Sequence, residues 1–540
     1  MRMGYLLLIS AFILIISGCE KFLEEVPTGT LSDAATYNTI GDVNALTTGP
    51  YRSLNNWTSS AQDWGNNLAG TMEYQSGKAT AETPHVQLWR YQTNAINGNM
   101  LGNFNNPWLY WFRGVQDANF SIQMLNRVDG VSQAVITSSL GEVHALRAWY
   151  YFCLVRKYGD VPYLTEPVVD PDLAQSPRES LKKIYDEIIV PDLLFALNES
   201  NLPSGQSRGR VTKDVVRAIL ADVYLTMAGY PYQEVNTNPT KDWCVDGGWT
   251  MSEYPVNTTS ARDLLQAAKT QLDALYGTYT LGTYDDLRNP GMNNRGEMIF
   301  QAQYLAGTAS NAAVWISLPL MSGVAVAASE NGTLVPTMGY VNSYGPDDKR
   351  MQERQMFFTW DYMARDGDPT ETRVVQFGRP YVFKYFDEEA VKRTSSSSLG
   401  WTFYRYADIL LMLTEVNWAL RQSGATVTDN DIVKGINAVR ARAELPALAA
   451  AEVDLHAIMS ERAWELVMEN KMMWDQRRTR HCLVDGSGEF SAIESFFGHM
   501  PTEFNFAFTA MNLLSPIAGN EIARNANMIQ NYGHLPIQEQ

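Results

Sequence analysis

The strongest constraint on the fold is helical periodicity confined to two blocks of the chain, with a long irregular stretch between them. In the first block, Trp111 to Val128, Leu140 to Tyr158, Glu179 to Leu197 and Thr212 to Met227 each carry apolar residues three or four apart. Val143, Leu146, Tyr150 and Leu154 form one such stripe, and Val215, Ile219, Val223 and Thr226 another. Gly159-Asp160-Val161-Pro162 is a stop signal for its helix, and Thr212 is placed to cap the next. A further helix is expected at Arg262 to Leu275, and the second block comprises Tyr404 to Leu420, Asp431 to Arg442 and Asp454 to Arg480. Between the blocks, up to about Gly400, lie short β-like pieces such as Met298 to Tyr304 and Tyr381 to Phe386. The Phe-, Asn- and Pro-rich tail is expected to end without a helix. A two-helix unit buries its apolar faces only by stacking on a neighbour, so the pattern predicts a mainly α scaffold of tetratricopeptide-like pairs. The helix starts at 140, 179 and 212 set no strict period.

The N-terminus carries the sharpest local signal. One charge, Arg2, precedes an apolar run from Tyr5 to Ile16, which is shorter than the roughly 18 residues of a membrane-spanning helix. It reads as a secretory signal over residues 1–18. The run ends in Ile16-Ser17-Gly18-Cys19, the pattern of a bacterial lipobox, which makes Cys19 the lipidated first residue of the mature chain. A multiply acylated cysteine is a stable membrane tether, so attachment is expected through lipid alone.

Cysteine usage agrees. Beyond Cys19 there remain Cys153, Cys244 and Cys482, an odd, scattered set with no Cys-x-x-Cys. Neither a disulfide framework nor a structural zinc site is expected, and Cys153, in an apolar helical run, reads as a small buried hydrophobe. The histidines His85, His144, His456, His481, His499 and His534 form no ligand-spaced cluster. No metal and no cofactor are expected.

Composition narrows the ligand. The 540 residues carry 42 Lys+Arg against 59 Asp+Glu, a net charge of −17, without a concentrated basic block. That argues against a nucleic-acid partner. Charged residues make up only 19%, below the usual quarter, while Asn, Thr, Ser, Tyr and Trp are abundant. Such a surface suits neutral polar ligands.

Several segments then resemble the SusD/RagB family of outer-membrane nutrient-binding lipoproteins. Cys19-Glu20-Lys21-Phe22-Leu23 is similar to the family's lipidated opening, and Pro107-Trp108-Leu109-Tyr110 continues the match. Leu146-Arg147-Ala148-Trp149-Tyr150-Tyr151-Phe152, running to Val161-Pro162, resembles the family signature almost residue for residue. Further similar segments are Gly209-Arg210-Val211-Thr212-Lys213, Arg405-Tyr406-Ala407-Asp408-Ile409-Leu410, Asn437-Ala438-Val439-Arg440, Trp474-Asp475-Gln476-Arg477-Arg478 and Ser515-Pro516-Ile517. The resemblance implies a SusD-like fold, mainly α, with tetratricopeptide-like helix pairs, long irregular loops and a few short strands. Residues 19–540 would form one SusD-like domain: a scaffold block over about 105–280, a variable loop region over about 281–400, and a second helical block with tail over about 401–540. The resemblance also implies a location at the cell outer membrane, a partner in a SusC-like TonB-dependent transporter, and binding without catalysis.

A glycan site needs aromatic faces to stack on sugar rings and polar groups to bond hydroxyls. Asp63, Trp64, Tyr74, Trp89, Arg90 and Asn94 lie where the resemblance puts binding loops, and Trp315 lies in the variable middle. Trp108, Trp149 and Trp474 fall in scaffold motifs and read as core. The ligand expected is an oligosaccharide; a peptide, a glycoside hydrolase activity and a purely structural lid are the alternatives. Gly205-Gln206-Ser207-Arg208-Gly209 matches Gly-x-Ser-x-Gly but follows a turn, not a strand. Asp285-Asp286, Asp347-Asp348 and Asp387-Glu388-Glu389 supply carboxylates, which a glycosidase would need facing each other. The group Arg477-Arg478-Thr479-Arg480 reads as a helix end with salt bridges to Glu461, Glu465 or Glu469.

Overall fold

The computed structural model describes residues 37–58, 68–82, 98–229 without 171 and 207, and 255–534 without 259, 328–329, 365–372, 505, 518 and 532; at 98–106 and 257 it describes the backbone alone. The fold is mainly α. The helices are α1 (Ile40–Thr48), α2 (Leu68–Ser76), α3 (Gly98–Leu125), α4 (Gln133–Tyr158), α5 (181–199), α6 (Lys213–Ala228), α7 (Ala261–Leu275), α8 (Tyr406–Gln422), α9 (Asp429–Arg442), α10 (Leu455–Glu465) and α11 (Met472–Thr479). In α5 the α-helical turns Leu181–Ile184 and Val190–Leu194 alternate with π-helical turns Tyr185–Ile189 and Phe195–Glu199.

Local chemistry sets the boundaries. Thr212 caps α6 by accepting from the Val215 amide, Thr428 caps α9 through Asp431, and Asp454 caps α10 through Ala457. Gly159 ends α4 at φ 73°, a backbone angle glycine adopts without a Cβ penalty. Helix α3 begins well before Trp111 and carries Pro107 in its interior.

Helices pack as neighbouring pairs, α3 on α4, α6 on α7 and α8 on α9, and α7 also packs on α8. The two helical blocks therefore form one stack, whose apolar cluster runs from Leu54 to Met528. Gly435 makes the α8–α9 contact close, since a Cβ there would overlap the Leu410 carbonyl and lie 2.7 Å from Thr414 Oγ1. Trp108, Trp149 and Trp474 are core residues, as is Cys153.

Ten short strands pair in five two-stranded antiparallel sheets among the described residues: β1 (Ala79–Thr80), β2 (Val161–Pro162), β3 (Arg178–Glu179), β4 (Met298–Ala302), β5 (Val335–Pro336), β6 (Phe357–Tyr362), β7 (Val374–Val382), β8 (Trp401–Arg405), β9 (His481–Val484) and β10 (Ala492–Ser495). The pair β4–β8 joins the chain just after α7 to the chain just before α8. It closes residues 303–400 into an insertion on a stem.

Buried charge fixes that stem to the scaffold. Arg405, wholly out of solvent, reaches Glu297 at 3.1 Å, Glu465 at 2.7 Å and Glu469 at 2.8 Å. Arg350 reaches Asp348 and Glu461, Arg440 reaches Glu461, Arg442 reaches Glu297 and Glu465, and Lys384 reaches Glu469. Five acids and five bases are thus matched. Buried charges persist only when paired and hydrogen-bonded in this way.

Three sequence expectations change here. The span Asp454 to Arg480 is not one helix: it breaks after Glu465, where Met468 and Asn470 take positive φ. The arginines after the break therefore do not meet Glu461, Glu465 or Glu469; Arg478 pairs with Glu415 and Asp475, and Arg477 donates to the carbonyls of Met473 and Leu513. The tail holds a short helix, Gly519–Arg524, as well as the β9–β10 hairpin.

Candidate functional site

The insertion has its own apolar core, separate from that of the stack, formed by Val314, Trp315, Leu318, Phe358, Tyr381 and Phe386 among others. Trp315 sits in the helical turn Ala313–Ile316 and is 6% exposed. Tyr74 is 1% exposed on a helix buried on every side, and its hydroxyl donates to the Thr333 carbonyl. Both rings, expected from the sequence as ligand platforms, are packing residues. An insertion this long needs a core of its own, and the Ala-Val-Trp-Ile turn helps supply it.

Cys19, Asp63, Trp64, Trp89, Arg90 and Asn94 lie outside the described residues, as do Trp243, Trp249, Cys244 and Ser207. The described flanks of two of these stretches are nevertheless bonded to the insertion or its stem. The Thr58 carbonyl accepts from the Ala312 amide at 2.8 Å, and its hydroxyl donates to Tyr304 Oη at 2.6 Å. The Glu82 amide donates to the Gly332 carbonyl at 2.7 Å, while its carboxylate accepts from the Leu320 amide at 2.8 Å and from the Tyr381 hydroxyl.

The β6–β7 hairpin, whose Tyr381 bonds Glu82, carries two further rings, Trp360 and Tyr362. Its register shifts between Phe358 and Trp360. Residues two apart on a regular strand share a face, and a bulge re-aims the side chains that follow it. Phe358 is fully buried in the insertion core, whereas Trp360 and Tyr362 are half-buried and meet edge to face at 5.5 Å. The Arg354 guanidinium stands 4.7 Å from the Trp360 ring centre and donates to Asp361 at 3.2 Å.

Arg354 also lines an open cleft of about 680 Å³, with Asp285, Arg288, Phe383, Asp387 and Glu388. Arg288 lies over the Phe383 ring at 4.3 Å and donates to the Gln355 and Arg354 carbonyls. Burial, reinforced by the neighbouring Arg354 charge, pulls the Arg288 guanidinium down to about 10. The cleft carboxylates have structural partners: Asp285 pairs with Arg288, Asp387 accepts from Ser397 Oγ at 2.6 Å, and Glu389 pairs with Arg393. The arrangement offers a ring edge, fixed guanidinium donors and carboxylate acceptors, a set suited to hydroxyl groups. Trp360, Tyr362 and Arg354 were not singled out in the sequence, although the run Phe357-Phe358-Thr359-Trp360-Asp361-Tyr362 has the aromatic content of a strand.

Other candidates resolve as structural. His144 lies 2.6 Å from Asp192, which Arg147 grips with two nitrogens. Asp286 closes the turn at Thr283, and Asp348 is buried against Arg350. Gly205 and Gly209 both take positive φ, a loop geometry unlike a nucleophile elbow. Burial pushes the Cys153 thiol up to about 12, and Cys482 is likewise buried. Among the described residues, no helix is long and apolar enough to cross a membrane.

The SusD family profile matches residues 331–534, and a profile described as starch-binding associating with outer membrane matches residues 22–225. A crystal structure of a SusD superfamily protein from Parabacteroides distasonis is similar with a TM-score of 0.79 and 31% identity, covering 91% of this chain and 99% of that one. SusD-like protein P2 of Formosa agariphila is 22% identical over 96% of this chain and 97% of its own length. Surface glycan-binding protein A from Bacteroides thetaiotaomicron, solved in complex with laminarihexaose, has a TM-score of 0.65 and 18% identity, covering 92% of this chain and 100% of that one.

Proposed function

The chain belongs to the SusD family, and we propose that it is an outer-membrane lipoprotein that captures a neutral oligosaccharide and passes it to a SusC-like TonB-dependent transporter without cleaving it. The observation that carries this reading is the half-exposed Trp360–Tyr362 pair 4.7 Å from Arg354, a guanidinium that also lines a 680 Å³ cleft. A sugar ring would lie against the aromatic edge, while Arg354 and Glu388 bond its hydroxyls. Asp63, Trp64, Trp89, Arg90 and Asn94 belong to stretches flanked by Thr58 and Glu82, and the proposal includes them as further contacts. Several weak subsites of this kind gain affinity by engaging one chain together.

The outer-membrane association in the description of one matching family profile supports the location, and Ile16-Ser17-Gly18-Cys19 supports the tether. Residues 19–540 act in this reading as one domain. Among the described residues, Asp285, Asp387 and Glu389 of the cleft each have a structural partner. A peptide is the second reading, favoured by the adjacent guanidinium groups of Arg288 and Arg354, which suit carboxylate ligands.

Calorimetry of the chain lacking residues 1–19 against plant, host and microbial glycans, with laminarihexaose among them, and against peptides tests the ligand class. Saturable heat is expected with a glycan; heat with peptides alone overturns the reading. Cys19→Ala should abolish acylation and release the protein from the membrane fraction.

A further inference from the structure

A groove of about 400 Å³ opens where three segments meet, and it shares no residue with the cleft at the hairpin. Helix α3 supplies Leu109, Phe112 and Arg113, the chain after β2 supplies Val168 and Leu173, and the tail helix Gly519–Arg524 supplies Glu521. Leu109 is 50% exposed and Leu173 38%, so both present apolar surface to solvent. Val169, next in the chain to Val168, is 88% exposed. Aliphatic side chains left open together at one place mark a contact surface, whereas single ones are ordinary.

The walls are fixed before anything binds. Gln116 Oε1 accepts from the Val168 amide at 2.9 Å, and Asn119 donates to the Leu164 and Glu166 carbonyls, which holds the loop against α3. Gln175 donates to the Arg524 carbonyl at 2.8 Å and Asn525 to the Ser176 carbonyl at 2.9 Å, which ties the tail helix to the same loop. A surface already in its bound shape loses little of its binding energy to ordering.

Two charges on different walls decide the occupant. Among the described residues, neither Arg113 nor Glu521 makes an ion pair or a side-chain hydrogen bond. Asp117, one turn along α3 from Arg113, is held by Arg52 at 3.0 Å. Burial pushes the Glu521 carboxyl up, and Arg524 only partly offsets it. A lipid acyl chain brings nothing to Glu521, and covering that carboxylate with hydrocarbon leaves a charge unpaired. A sugar ring needs a flat aromatic face, whereas the two exposed apolar walls, Leu109 and Leu173, are branched aliphatic chains. Two copies of this chain, each with a net charge of −17, repel one another. A peptide segment supplies all that the groove lacks: an apolar side chain for the trough, an acid for Arg113 and a base for Glu521.

We propose that this groove docks a partner protein through a peptide segment that carries one bulky apolar side chain with an acidic and a basic residue beside it. The groove uses no residue of the hairpin site and serves this role whether or not that site takes a glycan. Selection of phage-displayed random linear peptides on the chain lacking residues 1–19 tests it, and a shared motif of those three residue types is expected. A synthetic peptide of that motif should bind the parent and lose about tenfold or more in affinity to Leu109→Asp. Arg113→Glu should weaken it about two- to fivefold. Exchanging the peptide's acid for Lys should restore binding to Arg113→Glu, which a merely structural role for Arg113 would not produce. Leu109 is half-exposed, so its variant should fold as the parent does, which a melting curve checks. Leu173→Asp, on another wall, gives the same reading if Leu109→Asp does not fold. No enriched motif, binding unchanged in a folded leucine variant, or no rescue by the exchanged peptide overturns the proposal. So does flotation of the parent with phosphatidylethanolamine vesicles that the leucine variant abolishes, which assigns the groove to a membrane. A dimer in sedimentation that the same variant splits also overturns it, by assigning the groove to a second copy.

Discussion

Arg405 Nη1 and Glu465 Oε1 lie 2.7 Å apart with both side chains fully out of solvent. Arg405 ends the strand that closes the insertion, and Glu465 ends α10 of the scaffold, so this ion pair binds the ligand-bearing part of the molecule to the part that supports it. Arg442 and Arg350 also face Glu465.

Replacing Glu465 by Gln leaves these guanidinium groups short of one negative charge in a dry site. Breaking a buried pair in this way costs about 3–5 kcal/mol, and urea denaturation should show a loss of that size. Burial opposes ionisation of Glu465, but Arg442, Arg405 and Arg350 outweigh it and hold the carboxyl at about 2. Its stabilising contribution is therefore complete above the ordinary carboxylate value of 4.5 and is lost as pH falls toward 2. Glu465→Gln should flatten that acid limb; an unchanged limb contradicts the pairing.

Glu73 behaves in the opposite sense. Burial pushes its carboxyl up to about 7, with hydrogen bonds from Asn470 and the Lys384 charge only partly offsetting the effect. The folded state then holds a proton that the unfolded chain has released, so stability is full below 4.5 and falls as pH rises through 7. At ~1.4 kcal/mol per pKa unit the loss is about 3 kcal/mol. Glu73→Gln keeps the acceptor for Asn470 and carries no charge. Its stability relative to the parent should rise between pH 4.5 and 7; a constant difference over that window would falsify the assignment.

Gly435 allows α8 and α9 to touch through their backbones. A methyl group there meets the Leu410 carbonyl, which cannot turn aside as a flexible side chain can. Gly435→Ala should cost at least about 1–3 kcal/mol, the usual penalty of overpacking, despite the higher helix propensity of alanine. A melting temperature equal to the parent's would show that the helices separate freely.

Much of the scaffold was legible because its signals are local. Thr212, Gly159 and the apolar stripes act within one helix, and each did so in the structure. The break between α10 and α11 was not legible, because what holds it is remote: the Asn470 amide side chain donates to Glu73 and to the Ala69 carbonyl and accepts from Trp57 Nε1. No pattern along the chain announces partners some four hundred residues away. The salt bridges of the 477–480 arginines failed for the same reason, since that break turns the helix away from Glu461 and Glu465. At the site, sequence reasoning weighed aromatic residues by loop position, which cannot tell a ring that builds the insertion's core from one that faces outward. Trp315 proved the first kind and Trp360 the second, and the bulge after Phe358 that separates the two faces leaves no mark in residue types.

The most direct test of the central claim is a calorimetric titration with whichever glycan saturates the parent chain, repeated on Trp360→Ala. Trp360 is half-buried at the hairpin surface and belongs to neither apolar core, so the variant should keep the parent's melting temperature. Loss of the stacking face should weaken binding by about tenfold or more, a loss near 1.4 kcal/mol. An affinity equal to the parent's in a folded Trp360→Ala protein contradicts the account.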